Sequence, residues 1–112
     1  AMNTMTLDGY QALIEYDPEL DLFRGEILGL SGGADFYGAN PDQLRKEFRI
    51  SLDTYLEACR ERGIEPKKNY SGKFNLRVPA QLHEQLALRA QVAGKSLNTL
   101  VQETLQAALR SQ

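Results

Sequence analysis

Lys73, Asn75 and Arg77 occupy alternate positions, and Phe74, Leu76 and Val78 fill the places between them. Strict alternation puts one set on each face of an extended strand. The polar set is suited to reading bases. Arg and Lys donate to the O6 and N7 of guanine, and Asn pairs bidentately with adenine. Solubility alone would also favour a polar strand face. A second group follows at Ser96, Leu97 and Asn98, just after Gly94 and Lys95. Ser96 is placed to cap a helix there. The unpaired N–H groups of a helix start carry partial positive charge and suit a phosphate. N-capping and phosphate binding are compatible roles for it. Lys67 and Lys68 precede the strand and read equally as phosphate contacts or as solvated linker.

The other titratable groups offer less. Asp17, Asp21, Asp35 and Glu47 would be the material for a metal-dependent enzyme, yet their spacing requires no metal site. Asp17 and Asp21 flank an expected hairpin turn, where such residues are common. His83 has no second histidine or nearby cysteine, so it reads as a surface or packing residue. One Cys and one His make a structural zinc site untenable, and no cofactor is expected. Cys59 falls on an apolar stripe and reads as a small buried residue. The glycines at 29, 32 and 33 lack the Lys-Ser/Thr of a phosphate loop.

These groups must be positioned by elements, and the sequence marks most of them. Residues 2–9 read as loose. Residues 10–16 and 22–28 read as two strands around the Asp17-Pro18-Glu19 turn, and residues 35–38 as a short third strand. Asn40 is the expected N-cap of a helix with Pro41 at its first position. Leu44, Phe48, Leu52, Tyr55, Leu56 and Cys59 form its apolar stripe, and Gly63 ends it. The first half therefore reads as β-β-β-α. Residues 67–72, polar and helix-breaking, read as a linker between a domain at 1–66 and another at 73–112. In the latter, Pro79 opens a helix striped by Leu82, Leu86, Ala90 and Ala93. Gly94 ends it, and a second helix is striped by Leu97, Leu100, Val101, Thr104, Leu105 and Ala108.

The net charge of −2 conceals a division. Residues 1–66 hold 13 Asp/Glu and 6 Lys/Arg, a net −7. Residues 67–112 hold 7 Lys/Arg and 2 Asp/Glu, a net +5. Such a division suits partners of opposite sign, or simply a solvated acidic domain beside a basic one. No apolar run approaches about 20 residues, so no membrane span is expected. The single cysteine fits a reducing cytosol, hence a cytoplasmic location. No secretory leader is expected either, and Ala1 ahead of Met2 reads as an added residue.

One strand and two short helices cannot close a core, but two copies pairing their strands can. Phe74, Leu76 and Val78 would then face the dimer core, and the chain would be an obligate homodimer. The paired strands would form a ribbon that fits the major groove. Residues 73–112 resemble the ribbon-helix-helix DNA-binding domain of the Arc and MetJ type. That resemblance implies base contacts from Lys73, Asn75 and Arg77, and backbone contacts from Ser96, the Leu97 amide and Asn98.

Residues 10–16, the 17–19 turn, Phe23 to Glu26, residues 29–37 and residues 51–56, followed by 71–79, resemble the HicB antitoxin family. This likeness spans about residues 10–108. It implies an α+β protein with a partial ribonuclease-H-like N-terminal domain that is not an enzyme and masks HicA, a small basic RNA-cleaving toxin. It further implies a C-terminal ribbon-helix-helix dimer that represses its own operon by binding operator DNA. Apart from the resemblance, exposed strand edges of the N-terminal domains could pair and join dimers into tetramers. The alternative is a stand-alone ribbon-helix-helix regulator whose acidic domain binds another protein or a ligand.

Overall fold

The computed structural model describes residues 3–111. Among these residues the protein is α+β, a four-stranded antiparallel sheet followed by three helices. It divides into two compact units, residues 1–71 and 72–112.

The first unit holds β1 (Thr4–Leu7), β2 (Tyr10–Asp17), β3 (Leu22–Ile27) and β4 (Asp35–Gly38), paired in chain order, and then α1 (Pro41–Arg62). The expectation that residues 2–9 are loose is therefore corrected from Thr4 onward. The reason lies in Asp8 and Gly9, both with positive φ (50° and 80°). A two-residue Asp-Gly connection of that kind matches the twist of a tight hairpin. It sets Leu7 opposite Tyr10 and Met5 opposite Ala12. At the β2–β3 connection, Asp17 accepts the Glu19 and Leu20 amides at 3.0 and 3.4 Å, which closes the expected turn.

The α1 ends follow their sequence signals. The Asn40 side chain accepts the Gln43 N–H at 2.9 Å, and Pro41 stands in the first turn. Gly63 adopts φ 65° and closes the C-terminus. The apolar stripe of α1 lies on one face of the sheet. Leu44, Phe48 and Leu52 join Ala12, Ile27, Leu30 and Phe36 in a buried core, with Met5, Leu7, Tyr10 and Ile14 packed around it. Phe36 stacks on Phe48 with ring centroids 4.9 Å apart. Cys59 is buried, as its place on the stripe suggests.

The second unit contains α2 (Ala80–Ala93) and α3 (Leu97–Arg110). Gly94 at φ 69° breaks the chain between them, and Ser96 caps α3 by accepting the Thr99 N–H at 3.0 Å. Pro79 stands at the N-cap position rather than inside α2. Residues 73–79 carry no regular secondary structure in the single chain. The strand expected at residues 73–78 is therefore not formed in the single chain, since alternation sets faces but a strand also needs a neighbouring strand to pair with.

Candidate functional site

Lys73, Phe74, Asn75, Leu76 and Arg77 are all exposed, and Val78 is half-buried. Phe74 at 75% and Leu76 at 60% exposure are unusually open for apolar side chains. Within this unit an open concavity is lined by Lys73, Phe74 and Asn75 together with Leu97, Asn98 and Val101. The fold thus brings two of the three base-reading candidates together with two residues from the start of α3. Arg77 and Ser96 do not line it. His83 does, as an exposed side chain.

The two helices bury little. Ala90 is the one buried residue of this unit among those described. Leu86, Leu100 and Val101 are half-buried, whereas Leu82, Leu88, Val92, Leu105 and Leu109 are exposed. At about 25 cal/mol per Å² of apolar surface, such a face contributes substantial stability only once it is covered.

In the acidic unit, three of the four metal-candidate carboxylates, Asp17, Asp21 and Asp35, have other work, and Glu47 stands apart from them on α1. Asp17 closes its turn, and Asp21 accepts the Tyr16 hydroxyl at 2.7 Å, a bond that raises the Tyr16 pKa. Asp35 accepts from Arg24 Nε at 3.1 Å and raises the arginine pKa. Arg24 also reaches Glu26 at 3.7 Å. Glu26 and Asp35 are direct cross-strand partners, so this guanidinium offsets the repulsion of a like-charge pair. No three His, Cys, Asp or Glu groups among the described residues converge as metal ligands.

A polar clamp not foreseen in the sequence fixes the exit from α1. The Tyr55 hydroxyl accepts the Gly32 N–H at 2.7 Å and lies 2.9 Å from Ser31 Oγ. Ser31 Oγ donates to the Glu65 carbonyl at 2.7 Å, and the Ser31 N–H to that of Pro66 at 2.9 Å. Lys68 N–H donates to the Gly29 carbonyl at 2.8 Å. The start of the expected linker is therefore tied to the glycine loop. Lys67 sits over the Tyr10 ring at 4.9 Å, and Lys68 lies near Tyr70. Tyr55 looked like one more stripe residue; only its hydroxyl distinguished it.

The HicB family matches residues 55–105, from the last turns of α1 through most of α3. Comparison with curated proteins and with solved structures returned no match. Among the described residues, no helix is long and apolar enough to cross a membrane.

Proposed function

We propose that this chain, similar to the HicB family over residues 55–105, is an antitoxin which also represses its own operon. The acidic unit, in this reading a non-enzymatic and partial ribonuclease-H-like domain, binds and masks a HicA-type toxin. The basic unit pairs with a second copy as a ribbon-helix-helix dimer. Lys73, Asn75 and Arg77 then read bases of the operator, and Ser96, Leu97 and Asn98 hold its phosphates. Phe74, Leu76 and Val78 form the dimer core.

The observation that carries this reading is the family match, which includes residues 73–78 and the start of α3 in one segment. The exposed Phe74 and Leu76 and the shortage of buried apolar residues in this unit support a second copy as their cover. The same match leaves the whole sheet outside it, which favours as second reading a stand-alone regulator with a different partner on its acidic unit.

Co-expression of a tagged chain with its operon neighbours, followed by pull-down and a growth assay, separates the two. A small basic partner that arrests growth by itself and is silenced by this chain is the expected result. Operator binding without such a partner would leave only the regulator. On the DNA side, Arg77→Ala should cost about 1–3 kcal/mol on the operator and relax specificity at one position. Equal losses on operator and random DNA would refute base reading by Arg77.

A further inference from the structure

The acidity of the first half has an address. Helix α1 carries Asp42, Glu47, Asp53, Glu57 and Glu61 against Arg45, Lys46, Arg49, Arg60 and Arg62, and is therefore neutral. The entire excess of −7 in residues 1–66 lies outside it, with Arg24 as the single cation among those other residues. α1 takes one face of the sheet. On the opposite face, alternation places Leu13, Glu15 and Asp17 of β2, Leu22, Arg24 and Glu26 of β3, and Asp35 and Tyr37 of β4. Four carboxylates face one cation there. That cation is already shared between Asp35 and Glu26. Glu15 lies directly across from Arg24 in the register, yet it makes no ion pair with it.

Leu13 and Leu22 are half-buried beside these charges, and Tyr37 is 36% exposed. Carboxylates spread along three strands, with apolar and aromatic area between them, suit a protein surface rather than an ion. Protein interfaces combine aromatic anchors with a charged surround, and complementary charge selects the partner. We propose that the sheet face opposite α1 docks a small basic protein, with Tyr37 as its aromatic anchor and Glu15 in the charged surround. This rests on the antitoxin reading and specifies it: the toxin sits on the sheet, and α1 stays on the far side.

Binding of the full chain to the basic protein encoded beside it, measured by calorimetry, tests this. Glu15→Lys and Glu61→Lys change the net charge equally, and neither residue forms an ion pair in the structure. Long-range attraction therefore falls alike in both, and only local contact distinguishes them. Glu15→Lys should weaken binding at least about tenfold, because it sets a like charge against the basic partner, and Tyr37→Ala by a similar factor, as expected for an aromatic anchor. Glu61→Lys should stay within about twofold of the parent. Parent-like binding by both sheet variants overturns the proposal and leaves the antitoxin reading standing. An equal loss in Glu61→Lys overturns it too, since the effect would then be net charge. If instead Glu15→Lys disturbs self-association while toxin binding is untouched, the basic unit of another copy is the occupant and the proposal fails. A parent chain that binds no basic neighbour defeats the antitoxin reading, and this inference with it.

Discussion

Gly25 is required by a neighbour rather than by its backbone angles. It is buried opposite Phe36 on β4, and a Cβ built there would run into the Phe36 ring. That ring must lie flat across β3 to stack on Phe48. Gly25→Ala should therefore destabilise the first unit by about 1–3 kcal/mol, the usual range for overpacking. Denaturant titration would show it, and Phe36→Leu in the same chain should recover part of the loss, because contacting residues are not additive. A Gly25→Ala protein as stable as the parent would mean that the ring moves aside at no cost. Arg24 illustrates the opposite case, a charge retained because its neighbours repel each other. With both partners about half exposed, its contribution to stability is small.

At the scale of elements, the Tyr55 clamp joins the glycine loop, the end of α1 and the exit of the chain. Tyr55→Phe keeps the ring and removes the acceptor for the Gly32 amide. The expected cost is about 0.5–1.5 kcal/mol, with faster hydrogen exchange at Gly32 and at Ser31 and Lys68, which bond to the same strip. Unchanged exchange at all three would show that backbone bonds suffice there. This clamp was not legible in the sequence because a tyrosine on an apolar stripe reads as core, and its hydroxyl partners come from loops distant along the chain. α1 was legible to its ends, since Asn40, Pro41 and Gly63 act locally. β1 was missed, although Asp8-Gly9 between Leu7 and Tyr10 is a strong hairpin signal. Four residues of alternation were too short to read without that turn. The residue types at 73–78 alternate plainly, yet no strand forms there in the single chain, because alternation in sequence gives faces and supplies neither a pairing partner nor a register.

For the whole molecule, the two units differ in what a single copy can stabilise. The first closes a core around Phe48 and Leu52, both fully buried. The second leaves Phe74, Leu76, Leu88, Val92 and Leu109 at least half exposed and buries Ala90. A domain of about 40 residues is near the lower limit for folding unaided, and association is one of the few remedies. Unfolding should accordingly proceed in two transitions. The transition of the basic unit should rise in temperature with protein concentration, as mass action requires when a second copy binds the folded form. The transition of the acidic unit should rise only if it also self-associates. Calorimetric scans at two concentrations about a hundredfold apart would resolve these terms. Leu76→Lys places a charge at the expected dimer core and should remove the concentration-dependent transition while leaving the first unit folded. If instead the basic unit melts at one temperature at every concentration and survives Leu76→Lys, the paired-strand dimer is wrong. The base-reading role of Lys73, Asn75 and Arg77 would then lose its scaffold.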